Sequence, residues 1–216
     1  MISVPLAITE MVYSLIIILL CLVIYKKTQE IYGLTKYKGI YYFRNAFLFF
    51  ALAYFFRFLF LMFRFSWSTF DVRMLQGFMW PLNLVVMGYF GTLAILSLTL
   101  STVWKRLKNP YLSAWMHLVS LVVALLALIT LSTQVLLFAH GALIVVTLVL
   151  VHRARDRKRK FSNVFLIYLL LFVFWLINLL VLSPRSILFI ETKLVVYLLS
   201  IILFVVVVQR VRKWLR

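Results

Sequence analysis

The chain has 216 residues, 66% of them hydrophobic and 13% charged, with 23 Lys and Arg against five Asp and Glu. Soluble domains carry about a quarter of their residues charged, so a water-soluble fold of this length has no way to hide so much apolar surface. The formal charge of +18 would suit a nucleic-acid phosphate backbone if it formed one stripe, but its placement between apolar runs argues against that.

Seven apolar runs follow one another, at 7–25, 46–63, 81–104, 112–131, 133–151, 164–182 and 187–208. Each is long enough to cross a hydrocarbon core about 30 Å thick. Backbone groups inside lipid must be satisfied within the segment, which predicts helices; no run alternates as a barrel strand would. The predicted fold class is all-α: a polytopic membrane protein of seven transmembrane helices, one domain over 1–216. The first run has no basic segment ahead of it and is followed by Lys26 and Lys27, the pattern of a retained anchor rather than a cleaved signal peptide. Cys21, the single cysteine, lies inside it and supports neither a disulfide framework nor a thiolate metal site. Runs four and five are separated only by Leu131-Ser132-Thr133-Gln134. Together they are twice a membrane's thickness, so a tight turn is expected there. Pro5, Pro81, Pro110 and Pro184 all fall at or beyond span ends, where a missing N–H costs little, and continuous helices are predicted. Tyr41, Tyr42, Trp67, Trp80, Trp104, Tyr111, Trp115 and Trp214 crowd those ends as interfacial aromatic belts.

Eighteen of the 23 basic residues fall in four regions. These are the connector after run one (Lys26, Lys27, Lys36, Lys38, Arg44), that after run three (Lys105, Arg106, Lys108), that after run five (Arg153, Arg155, Arg157, Lys158, Arg159, Lys160) and the tail (Arg210, Arg212, Lys213, Arg216). Such alternation follows the positive-inside rule, placing the N-terminus outside and the C-terminus in the cytoplasm of a multi-pass cell-membrane protein. Lys26, Lys27, Arg153, Arg155, Arg157, Lys158, Arg159 and Lys160 are expected to meet anionic headgroups. The lipid bilayer is thus the expected partner, with no nucleic acid.

Phe43-Arg44-Asn45-Ala46-Phe47-Leu48 and Phe161-Ser162-Asn163-Val164-Phe165-Leu166 open runs two and six after basic connectors. Leu84-Val85-Val86 likewise matches Leu194-Val195-Val196, and Trp104 matches Trp214. These offsets suggest a parallel three-plus-one-plus-three repeat over 7–104 and 133–214. For Asn45 and Asn163 the simpler expectation is helix N-capping. Gly88 with Thr92, and Ser113, Ser120, Ala124 and Ala127, have the small-residue spacing of close helix contacts, as a bundle core or a dimer face.

A charge at mid-span costs about 2.5–3.5 kcal/mol on insertion scales, so each polar intramembrane residue needs a reason. Counting at 1.5 Å per residue, Glu10, Arg57, Asn83, His140, Asn178, Glu191 and Lys193 gather in the outer third. They form either an outward-facing pocket for a small polar ligand, centred on Arg57, or an ion-pair set joining Arg57 to Glu10 or Glu191. In the second case Arg57→Ala lowers stability in detergent. Glu191 and Lys193 point about 200° apart, so Lys193 is expected to snorkel outward while Glu191 turns inward. A retinal pigment is disfavoured: no acidic residue lies in 81–104 to act as counter-ion, and Phe189 stands four before Lys193. His117, His140 and His152 are read as packing histidines rather than metal ligands, because no HExxH or Cys/His cluster surrounds them. No nucleophile elbow, Walker sequence or Gly-rich loop is present, so neither an enzyme nor a cofactor is expected.

The stretch Tyr41-Tyr42-Phe43-Arg44-Asn45-Ala46-Phe47 leading into Ala51-Leu52-Ala53-Tyr54, the seven runs and the basic first inner connector resemble the seven-helix input modules of prokaryotic histidine kinases and cyclases. The resemblance, one of layout, implies a receptor- or sensor-like module. With no output domain of its own before Arg216, it would act through a partner membrane or signalling protein. The layout is also similar to that of the SWEET sugar carriers, which implies a small-solute transporter as the alternative, although those carriers use prolines within helices. A lipid-associated scaffold is a third expectation, from the basic inner face.

Overall fold

The structure, a computed structural model, describes residues 4–70, 76–104, 111–154, 163–182 and 190–215. They form seven helices: α1 (Val4–Thr35), α2 (Lys38–Phe70), α3 (Gln76–Val103), α4 (Leu112–Thr130), α5 (Thr133–Ala154), α6 (Asn163–Leu182) and α7 (Ile190–Leu215). No strand occurs among the described residues. Six of the helices are long and apolar enough to cross a membrane, and in α6 the described apolar stretch runs Leu166–Trp175.

Helices α1 and α2, of 32 and 33 residues, extend well beyond the runs 7–25 and 46–63. At 1.5 Å per residue each is about 50 Å long, far more than the bilayer core requires. The basic stretch 26–45 is therefore a helical hairpin and not a loop. Hydropathy registers lipid, whereas Lys, Gln and Glu continue a helix into water readily. Only Lys36 and Tyr37 join the two helices. Lys36 adopts a left-handed φ of 51° and donates its N–H to the Tyr32 carbonyl at 2.8 Å, closing α1. The Tyr37 carbonyl then accepts the N–H groups of Ile40 (3.0 Å) and Tyr41 (3.3 Å), opening α2. Asn45 accordingly lies inside α2 and caps nothing; its Oδ1 accepts from Arg44 Nε at 3.4 Å. Asn163 does stand at the start of α6.

Pro81 also departs from expectation, because α3 starts at Gln76 and places it inside the helix. It remains near the helix end, where one missing N–H removes a single hydrogen bond. Pro110 and Pro184 lie outside the described residues. The expected tight turn between α4 and α5 is present: Leu131 takes a left-handed φ of 45° and donates its N–H to the Leu128 carbonyl at 3.3 Å.

Neighbouring pairs arrange α1, α2, α3, α5, α6 and α7 as a closed ring, with α4 packed outside against α3 and α5. The aromatic second run fills the ring. Phe47 meets Phe204 of α7 (ring centroids 6.2 Å apart), Phe50 meets Trp175 of α6 (5.2 Å), and Tyr54 meets Phe174 (6.4 Å). On α4 the buried residues are Met116, Ser120, Ala124 and Ala127, so most of the small-residue stripe is an intramolecular contact, while Ser113 is exposed. A Cβ on Gly88 would come within 3.3 Å of the Ala124 Cα, which is how closely α3 and α4 approach.

Candidate functional site

Three helices bring a tyrosine and a polar residue spaced three apart, hence on one face: Glu10 and Tyr13 in α1, Tyr54 and Arg57 in α2, Tyr197 and Ser200 in α7. They converge on Asn178 of α6, which is buried. The Asn178 Oδ1 accepts the hydroxyls of Tyr13 (2.5 Å) and Tyr54 (3.0 Å), while its Nδ2 donates to the Phe174 carbonyl (2.8 Å) and to Ser200 Oγ (3.5 Å). The Tyr197 hydroxyl donates to Glu10 Oε1 at 2.8 Å, and the Tyr13 and Tyr197 rings lie 4.6 Å apart. Every member of this network has a partner, as burial in low dielectric demands.

Beside the network lies a cavity of about 370 Å³, including its open side. Arg57, Tyr54, His140, Trp175 and Asn178 line it together with Met87, Leu136 and Leu137. The His140 Nε2 is 3.1 Å from the Thr92 hydroxyl, and its ring stands 5.5 Å from that of Trp175. Gly91 makes room for this imidazole, since a Cβ there would lie 2.8 Å from the His140 Cε1. A second cavity, about 360 Å³, lies farther along α5 and α6 and shares Trp175 as a wall; Phe50, Ile95, Leu98, Ile144, Leu148, Leu171 and Phe172 make its lining mostly apolar. Its two hydroxyl-bearing residues are already engaged. Thr147 Oγ1 is 2.6 Å from Thr99 Oγ1, and the Tyr168 hydroxyl meets Ser101 and the Leu98 carbonyl (3.2 Å).

Of the seven residues expected in the polar layer, Arg57, His140 and Asn178 share one cavity, and Glu10 adjoins it through Tyr197 and Tyr13. Asn83 sits on α3 apart from the cavity lining, its Oδ1 buried without a partner among the described residues. Glu191 is exposed in the first turn of α7 and Lys193 is half-buried, so the inward turn expected of Glu191 does not occur. The expected ion-pair set is likewise not formed. Among the described residues the only salt bridge is Lys27–Glu30 at 3.3 Å; Glu10 stays within electrostatic reach of Arg57 without contacting it. The cause is azimuth: residue counting sets depth along a helix but not the neighbour it faces.

At the basic end Lys26, Lys27 and Arg153 are exposed, whereas Arg155, Arg157, Lys158, Arg159 and Lys160 lie outside the described residues. The Arg44 guanidinium is enclosed by the rings of Tyr32 (4.9 Å), Tyr41 (5.1 Å) and Tyr25 (5.3 Å) and donates to Gln29, which locks the hairpin. His117 Nδ1 is hydrogen-bonded to the Tyr89 hydroxyl at 2.8 Å, and His152 is exposed.

The tyrosines of the network were not anticipated, although the spacing of three from Glu10 and Arg57 was visible in the sequence. Tyrosine at such positions reads as interfacial aromatic or core until the partner helix is known.

A protein of Archaeoglobus fulgidus described only as uncharacterized is 33% identical over 207 residues, covering 94% of this chain and 90% of that protein. No protein-family model matches the chain, and no solved structure matches it significantly.

Proposed function

The chain belongs to one family with the Archaeoglobus fulgidus protein, and we propose that it is a seven-span ligand-binding module of the cell membrane, receptor- or sensor-like, acting through a partner protein. The N-terminus outside and the C-terminus in the cytoplasm is the orientation favoured by the alternate basic connectors. That orientation puts the Arg57 cavity in the outer half of the membrane and the α1–α2 hairpin in the cytoplasm, beside anionic headgroups.

The single observation that carries this reading is the convergence of Arg57, His140 and Asn178, from three helices, on one cavity. An apolar wall with a few polar groups is the usual construction of small-molecule sites. Arg57 supplies a cation to a ligand, while the Asn178 amide is satisfied by Tyr13, Tyr54, Phe174 and Ser200, and His140 by Thr92. In the test, melting of the purified chain is followed against a panel of small polar solutes. A ligand that raises the melting temperature of the wild type but not of Arg57→Ala is the expected outcome. Since Arg57 has no direct ion pair to lose among the described residues, the ligand-free melting temperature of the variant should stay close to wild type.

Transport is the second reading, supported by the two cavities lying in line on either side of Trp175. Saturable solute flux into liposomes, abolished by Arg57→Ala, would replace the sensor with a carrier.

A further inference from the structure

Both cavities lie along the seam between α5 and α6, which is the loosest of the ring among the described residues. The first has the Arg57 cation in its lining, with no carboxylate in contact among the described residues; the second is walled mostly by aliphatic and aromatic side chains. Trp175 belongs to both, is 6% exposed, and its indole N–H is buried without an acceptor among the described residues. The Arg57 guanidinium and a free indole donor at one end, followed by an apolar slot, make a site for a molecule of matching polarity. From Asn178 to Tyr168 the seam covers ten residues of α6, about 15 Å, enough to hold about the first twelve carbons of a fatty acyl chain, with the end of a longer one left in the bilayer.

We propose that this site takes a single-chain anionic amphiphile, its acid head at Arg57 and the Trp175 indole N–H and its chain running along the α5–α6 seam into the inner cavity. The inference rests on the ligand-binding reading and narrows it to a substrate class. A molecule of this kind partitions into the bilayer before it binds, so the loose seam also serves as its entrance.

The test uses the full chain in nanodiscs of zwitterionic phosphatidylcholine, titrated with a dibrominated stearate whose bromines quench tryptophan fluorescence. Saturable quenching is expected at mole fractions where quenching by bulk lipid is negligible, reversed by plain stearate or dodecyl phosphate. Arg57→Ala should weaken it at least tenfold and Arg57→Lys much less. Trp175→Phe should remove most of the saturable quenching. Ile144→Phe, which fills the inner cavity, should weaken stearate while leaving any stabilisation by butyrate intact. Saturable binding indifferent to both Arg57→Ala and Ile144→Phe would overturn the proposal. Stabilisation by butyrate without saturable binding of stearate would overturn the amphiphile and leave the ligand-site reading standing; a chain that responds to neither an amphiphile nor a soluble anion would end both.

Discussion

Asn178 ties four helices together with one side chain, reaching Tyr13 of α1, Tyr54 of α2 and Ser200 of α7 from its place on α6. Removing it strands two buried hydroxyls, each worth about 1–3 kcal/mol when left unsatisfied, although hydrogen bonds inside membranes tend to the low end of that scale. Asn178→Leu is expected to destabilise the chain by about 2 kcal/mol in a detergent melt. Tyr13→Phe and Tyr54→Phe should each cost about 1 kcal/mol or less, and a double-mutant cycle with Asn178→Leu should show strong non-additivity. A cycle that closes additively would mean the network does not act as a unit. That Asn178, Arg57 and His140 lie at one level of the bundle was legible by counting residues from the span ends. That Tyr13 and Tyr54 share an acceptor was not, because a tyrosine's face is assigned only once its partner helix is in place.

Among the elements, the α1–α2 hairpin is the clearest case of helix outrunning hydropathy. Its closure depends on Arg44, whose planar cation lies against three tyrosine rings. Such contacts are worth about 0.5–1 kcal/mol each at exposed sites and about 2 kcal/mol when desolvated; Arg44 is buried, and lysine lacks the fork and the flat face. Arg44→Ala should therefore speed amide hydrogen exchange over the end of α1, at Thr28 to Thr35, with little change in the membrane-embedded helices. Arg44→Lys should rescue little of it. The α4–α5 turn offers the opposite opportunity. Leu131 occupies the left-handed region, where a side chain costs about 1–2 kcal/mol relative to glycine. Leu131→Gly should stabilise the chain by up to about 1 kcal/mol once glycine's extra freedom in the unfolded state is deducted, seen as a higher melting temperature. The turn itself was readable from run length alone; its left-handed residue was not, because leucine carries no turn signal.

For the whole molecule, orientation is the consequence easiest to test. Cys21 is fully buried, so new cysteines can be labelled against a silent background. Leu34, 86% exposed at the hairpin tip, and Leu131, 54% exposed at the α4–α5 turn, lie at opposite ends of the bundle. A membrane-impermeant maleimide applied to intact cells should label Leu131→Cys and spare Leu34→Cys until the cells are opened. The reverse pattern would invert the proposed topology.

Number and apolar character of the helices follow from local properties, since lipid thickness acts on each segment separately. Hence the seven runs and the tight turn could be read from residue order. Which helices touch could not: lipid tails are as apolar as leucine, so hydrophobicity does not separate a core-facing side chain from a lipid-facing one. Only tertiary packing placed α4 outside the ring, left Glu191 exposed, and set Arg57 beside Asn178 and His140 with no carboxylate in contact among the described residues, which is the arrangement that makes a cavity rather than an ion pair.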